Sequence, residues 1–420
     1  MRWLVLTLGL IPLPAWSEFF TLKGHGGPIM GIAIAQDGRI ATASFDNSVG
    51  LWTGQTPEWL EGHEAAVNTV VFNGTAIYSA GDDFTLRRWP GGEIVGQHKG
   101  KIVGLAASKT HVATASWDGM IGLWPVDGSE PMLLGPTGSG VNAVEFTADG
   151  SQLYSAGVDG SVRLWDVASG QEVDRLIEHG FGVNRLVLNS IDNWIAYGAV
   201  DGVTRILDLA TGDERDFTLD RRPILALALS PDRSLLAVGD GEGFIMVIDT
   251  LNWRISQDFR ATLRGPVWAL AFSNDGQNIH AGGIDEAMYS WPIAASEDRE
   301  QMAAAEPSFL KNPNEMGNGE RQFARKCSIC HSLSPDDQRR AGPTLYGVFG
   351  RKAGTVPDYL YSDTLQTSDI IWDEETINAL FDKGPDHYIP GSNMPMQRIS
   401  GSQDRIDLVT FLRHATAPEN

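Results

Sequence analysis

The sequence predicts a multidomain chain: an all-β seven-bladed propeller followed by a small all-α domain. Three observations carry this. A strand–Asp–turn–strand phrase returns seven times, its last residues falling 35 to 43 apart between Trp52 and Trp291. That interval is the period of a four-stranded propeller blade. The phrase then stops, a polar, Ala-rich, Pro-broken stretch intervenes, and 104 residues (317–420) remain. The chain's two cysteines, Cys327 and Cys330, stand three apart in that last segment, followed directly by His331. At 420 residues the chain is too long for one ordinary domain. Two cysteines are too few for a disulfide-stapled scaffold, and a net charge of −21 argues against a duplex nucleic-acid binder.

Residues 1–17 read as an export leader. Arg2 gives a positive start, an apolar run continues to Pro14, and Ala15-Trp16-Ser17 supplies small residues for cleavage after Ser17. The run is too short for a good membrane span, and no later stretch is apolar for long enough to be one. The mature protein is therefore expected to be exported, most simply to a bacterial periplasm.

Residues 18–295 hold the repeats. The phrase reads TASFDNSVGLW to Trp52, SAGDDFTLRRW to Trp89, TASWDGMIGLW to Trp124 and SAGVDGSVRLW to Trp165. It weakens to YGAVDGVTRIL at Leu207 and VGDGEGFIMVI at Ile248, and returns as AGGIDEAMYSW at Trp291. An Asp lies six residues before the closing Trp at Asp46, Asp83, Asp118, Asp159 and Asp285. A Ser or Thr lies four before that Asp at Thr42, Ser79, Thr114 and Ser155. His25, His63, His98 and His179 open their copies, and His111 and His280 read as ordinary loop or strand histidines.

This region resembles the WD-repeat family. The resemblance implies a His–Ser/Thr–Asp–Trp hydrogen-bond relay within each blade, which supplies the partners that a buried carboxylate and a buried indole N–H need. Copies four and six lack the His, copy five ends in Leu207, and copy six carries Glu242 for Asp and Ile248 for Trp. Those blades are expected to be held by packing more than by the relay. The Phe19–Leu22 segment is expected to complete blade seven and lock the ring. With no Gly-rich phosphate loop, nucleophile elbow or His-rich cluster, the propeller reads as a binding scaffold, and no catalytic residue is singled out.

Residues 296–316 read as a linker, with a short helix expected at 297–305. Beyond it, Cys327-Ser328-Ile329-Cys330-His331 is a CxxCH sequence, the attachment pattern of a c-type haem. Two thiols one helical turn apart can join the two vinyl groups of one haem, and the following His can offer its imidazole to the iron. A redox dithiol or half of a zinc site are the rivals, the latter without further cysteines to complete it.

The surrounding motifs resemble a class I cytochrome c. Gly319 and Phe323 precede Cys327 at helical spacing, and Gly342-Pro343-Thr344-Leu345-Tyr346-Gly347-Val348-Phe349-Gly350-Arg351-Lys352 matches the stretch after the haem His. Tyr388-Ile389-Pro390-Gly391-Ser392-Asn393-Met394 matches the distal segment, and Asp407 to Leu412 the closing helix. The resemblance implies one covalently attached haem c with His331 and Met394 as axial ligands and the Pro343 carbonyl orienting His331. It implies that Arg351, Tyr361 and Trp372 bond the propionates, that Met396 packs at the haem edge, and that Phe323 and Phe411 pack around Gly319. Phe381 stands where relatives often carry a Tyr near the Met ligand. This domain holds 11 basic and 14 acidic residues, so it lacks the strongly basic haem edge of mitochondrial relatives.

A His/Met iron has no open position, which points to one-electron transfer rather than substrate chemistry. The expected function is an exported electron carrier whose acidic propeller docks a redox protein partner, a basic one being favoured by charge. The alternatives are an enzyme whose propeller holds a substrate or second cofactor, and a haem redox sensor that controls propeller binding.

Overall fold

The computed structural model describes residues 18–294, 316–335, 340–357, 359–392, 394 and 397–418. The leader, nearly all of the linker with its expected helix, and Met396 lie outside the described residues.

Seven four-stranded antiparallel sheets stand in sequence order. Six are built from consecutive strands, within residues 29–61, 67–97, 102–134, 141–178, 183–217 and 224–260. The seventh joins Val267–Phe272, Asn278–Gly283 and Ala287–Pro292 to a strand from the start of the chain, Phe20–Lys23. Its register runs from Phe20 opposite Ser290 to Lys23 opposite Ala287, so the ring closes non-covalently on its own N-terminal strand, as expected. Second strands such as Ile40–Ser44 are wholly buried and rich in small residues, while outer strands such as Glu172–Glu178 are mostly exposed. That gradient lets neighbouring blades pack closely near the axis and spread at the rim.

The relay is complete in blades one to three. In blade one, His25 Nδ1 lies 2.9 Å from Asp46 and Nε2 2.7 Å from Thr42 Oγ1, which also accepts the Trp52 indole N–H at 2.8 Å. His63, Ser79, Asp83 and Trp89 repeat this in blade two, and His98, Thr114, Asp118 and Trp124 in blade three. Blade four keeps the Trp165–Ser155 bond at 2.8 Å but holds Asp159 with Arg163.

Polar pairs also persist in blades expected to be held by packing more than by the relay. In blade five, His179 bonds Asp201 at 3.0 Å and meets the Tyr197 hydroxyl at 3.2 Å. In blade six the structural carboxylate is Asp240, not Glu242. Arg221 bridges Asp240 and Asp258, and Asp240 also accepts the amides of Glu242 and Phe244. Asp285 in blade seven accepts from Leu263 N, Arg264 and Tyr289, while the Trp291 indole donates to the Ala261 carbonyl. Asparagines staple successive blades: Asn68, Asn142 and Asn184 each donate from Nδ2 to the first strand of the next blade, at 2.8–3.0 Å.

His111 opens a strand and meets Thr110 Oγ1 at 2.9 Å. His280 sits inside blade seven, 3% exposed, with no hydrogen-bond partner for Nδ1. Burial pushes its pKa down to about 4, against the opposing pull of Asp275. The sign follows. Below its ordinary pKa of about 6.5 the unfolded chain binds a proton that the folded chain refuses, so stability falls between pH 6.5 and 4, by up to about 3 kcal/mol. His280→Leu should flatten this part of the profile in pH-dependent chemical denaturation of the full chain; an unchanged profile would refute the assignment.

The C-terminal domain is helical: α1 (Asn318–Lys326), α2 (Asp363–Gln366), α3 (Glu374–Lys383), α4 (Pro385–Tyr388) and α5 (Ser402–Ala415). A capping box starts α3, with Asp373 accepting from Thr376 N at 2.8 Å and the Thr376 hydroxyl accepting from Asp373 N at 2.7 Å. α1 crosses α5 at Gly319, where Phe323 and Phe411 meet at 5.7 Å between ring centroids. Phe323, Cys327, Ile377, Leu380, Leu408 and Leu412 share one apolar core. Among the described residues no helix is long and apolar enough to cross a membrane.

Candidate cofactor site

α1 ends at the first cysteine. The Cys327 amide closes the last helical turn onto the Phe323 carbonyl, and the amides of Cys330 and His331 both return to the Cys327 carbonyl at 3.0 and 2.9 Å. This tight turn brings His331 back beside the helix end. The two thiols are free, and burial pushes Cys327 up to about 12 and Cys330 up to about 11. A redox dithiol needs the opposite shift, toward thiolate. Among the described residues no three His, Cys, Asp or Glu side chains gather as metal ligands.

His331 Nδ1 lies 2.8 Å from the Pro343 carbonyl oxygen. A carbonyl only accepts, so Nδ1 carries the proton and Nε2 keeps its lone pair for a metal. Burial lowers the pKa of the ring, which favours this neutral form. Gly342 makes the arrangement possible, since a Cβ there would sit 2.4 Å from His331 Cε1. Gly342→Ala should therefore rotate or displace the imidazole without touching a ligand atom. The expected result is retained covalent haem with a reduced fraction of low-spin iron in visible absorption spectra. A spectrum identical to the unmodified protein would show that the cradle is not tight.

A cavity of about 330 Å³ opens in front of His331. Cys330, His331, Pro343, Arg351, Tyr361, Trp372 and Met394 all line it, while Cys327 lies in the apolar core beneath, 3% exposed. Leu345, Leu380, Phe381 and Ile389 supply apolar walls. Met394 reaches the site on the turn after Gly391, its amide donating to Ser392 Oγ at 3.2 Å. An apolar slot lined by an imidazole nitrogen, a thioether and the Cys330 thiol, with the Cys327 thiol in the core beneath it, fits a covalently attached haem.

The residues expected to bond the propionates are positioned differently from one another. Arg351 spends its guanidinium on the Thr344 and Tyr346 carbonyls, at 2.7 and 2.8 Å. Tyr361 accepts the Val356 amide at 3.3 Å, which leaves its own O–H available. Trp372 is held through its backbone, which pairs with Arg351 and Gly350. Tyr359 donates instead to the Ala341 carbonyl.

The sequence did not point to the other wall of this cavity. Phe45, Asn47, Ala65, Ala66 and Asp82, all from propeller loops, line it as well. Arg340 of the helical domain also bridges to Glu286 of blade seven. These loops carry no local motif for such a role, because the contact depends on how two separate domains meet.

Comparisons with known proteins agree with this division. The family model described as cytochrome c matches residues 316–416. That of the WD domain, G-beta repeat, matches residues 16–53, 55–90, 130–166 and 257–291. A cytochrome c of Theileria parva is 34% identical over 116 residues, 28% of this chain and 99% of that protein. One of Sesamum indicum is 38% identical over 107 residues, 25% of this chain and 94% of that protein. A cytochrome c homolog of Rickettsia felis is 35% identical over 131 residues, 30% of this chain and 73% of that protein. The crystal structure of the WD40 β-propeller domain of Doa1 superposes with a TM-score of 0.60 at 19% identity. It covers 67% of this chain and 97% of that one, a likeness of fold alone.

Proposed function

This chain belongs to the cytochrome c family, with one covalently attached haem c, and we propose that it is an exported one-electron carrier whose WD-repeat propeller docks its redox partner. When bound, the haem supplies a single-electron couple at its iron. The chain's own residues prepare the site. Cys327 and Cys330 anchor, His331 offers Nε2 as one axial ligand, and Met394 offers its thioether as the other. Pro343 fixes the imidazole tautomer, Tyr361 has an O–H to give to a propionate, and the apolar walls exclude water. Arg351 serves the loop carbonyls, which stiffens the segment carrying Pro343.

The observation that carries the docking role is the shared wall. Propeller loops share the lining of the cavity with Cys330 and His331, so a partner seated on the ring beside the helical domain lies close to the haem edge. Charge supports a basic partner. Without the leader, the propeller and linker hold 20 basic and 39 acidic residues, and such a field steers cations. The leader reading of residues 1–17 supports periplasmic export.

Stopped-flow electron exchange of the full chain with one basic and one acidic small redox protein tests this. The rate with the basic probe should fall as salt rises and should exceed the rate with the acidic probe at low salt. Equal rates without salt dependence would refute docking by charge. A one-electron redox titration that shows a five-coordinate resting iron would refute the His331/Met394 assignment.

A further inference from the structure

The ring encloses a second cavity, of about 280 Å³, on the propeller axis, and the haem function makes no use of it. It is lined by the first strand of every blade. Each of those seven strands bulges at the same place, between its first and third residue. The shared bulge fixes which positions are equivalent around the ring. The first position after the bulge is Arg185 in blade five; in the other blades it is Gly31, Thr69, Gly104, Ala143, Ala226 and Ala269. Two residues further on, the position is Glu145 in blade four and Ala33, Val71, Ala106, Val187, Ala228 and Ala271 elsewhere. Two tiers of small side chains are thus each interrupted once, by one base and one acid on adjacent blades.

Neither charge is neutralised by a described residue. Among the described residues Arg185 makes one hydrogen bond, from Nη1 to the carbonyl of neighbouring Asn184 at 2.9 Å. Glu145 has neither a hydrogen bond nor an ion pair with any described residue. Burial alone raises its pKa to about 7, with no cation lowering it, and burial lowers that of Arg185. Both side chains are half-buried and line the channel, so each presents there a polar group that no described side chain pairs. Their tiers are offset by two residues along the strands, about 7 Å. Every residue of the first tier lines the cavity, and of the second tier Glu145 does. The volume lies at the lower end of small-ligand pockets.

From this geometry we infer that the propeller channel binds a small monocarboxylate that also carries a hydrogen-bond donor, its carboxylate on Arg185 and its amine or hydroxyl on Glu145. The carboxylate receives two parallel N–H bonds from the guanidinium, and the donor group satisfies the acid one tier away. Binding of this kind is non-covalent and independent of haem redox chemistry.

Isothermal titration of the full holoprotein with glycine, glycolate and acetate tests the inference. Glycine or glycolate should bind saturably, and at least tenfold more tightly than acetate, which has no donor for Glu145. Arg185→Gln and Glu145→Gln should each weaken that binding at least tenfold, while the haem spectrum and the thermal unfolding of the propeller stay as in the parent. No saturable heat with either donor-bearing probe, equal affinity for acetate, or binding that survives Arg185→Gln would each overturn it. Since the readout is binding to the propeller, it can fail while electron transfer proceeds normally, and the reverse.

Discussion

Changing both Cys327 and Cys330 to alanine is expected to abolish covalent haem attachment entirely. Cys327 is buried and Cys330 half-buried, and both are placed by one turn whose amides converge on the Cys327 carbonyl. Each would contribute one of the two sulfurs that a c-type haem requires. A denaturing gel stained for haem should show no signal in the double variant and a weaker signal in each single variant. The consequence for folding should also be confined to one domain. Cys327 shares its apolar core with Phe323, Leu380 and Leu408, and that core faces a cavity the haem would fill. A small helical domain without its cofactor has too little apolar surface to hold itself together. Far-UV circular dichroism should therefore lose helix while the β-sheet signal of the ring persists. Haem that stays on the denatured double variant would refute the attachment site outright.

How much of this was legible in the sequence follows from how local each feature is. Asp46, Thr42 and Trp52 lie on one hairpin, so a fixed spacing announces them, and the relay in blades one to three is found where that spacing places it. Blade six failed the same test because its phrase, Asp240-Gly241-Glu242, offers two acids. The choice between them is made by Arg221, nineteen residues earlier, which bonds Asp240. Blade five differs only in residue type: Tyr197 stands four before Asp201, in the Ser/Thr slot of the phrase, and meets His179 there.

The helical domain was readable for a different reason. Its haem-facing groups are held by main-chain turns, so CxxCH, the Gly342-Pro343 step and the segment before Met394 remain short contiguous motifs. What stayed hidden is what the two domains and the seven blades do together. Phe45 and Ala66 reach the haem cavity only through domain docking. Glu145 and Arg185 look like ordinary polar positions of alternating strands until the ring closes and turns that face inward.

The helix crossing gives the sharpest test of the haem domain's packing. A Cβ on Gly319 would stand 2.0 Å from the Asp407 carbonyl oxygen and 2.7 Å from Phe411 Cβ. Both are parts of α5 that cannot swing away like the end of a long side chain. Gly319→Ala improves helix propensity by about 1 kcal/mol. That gain is smaller than the cost of prising two helices apart, about 3 kcal/mol or more for an overpacked contact. The separation would also loosen the Phe323–Phe411 contact and the bonds from Asn318 Nδ2 to Asp404 and Asp407, at 2.8 and 2.7 Å. The variant should thus lose stability despite its better helix former, and Gly319→Val should lose more. Denaturant titration of the holoprotein reads the two domains separately, through haem absorbance for the helical one and tryptophan fluorescence for the ring. Only the haem transition should move, to lower denaturant. An unmoved haem transition in Gly319→Ala would mean that the crossing relaxes freely, and that closure of this domain around its cofactor does not depend on the contact of α1 with α5.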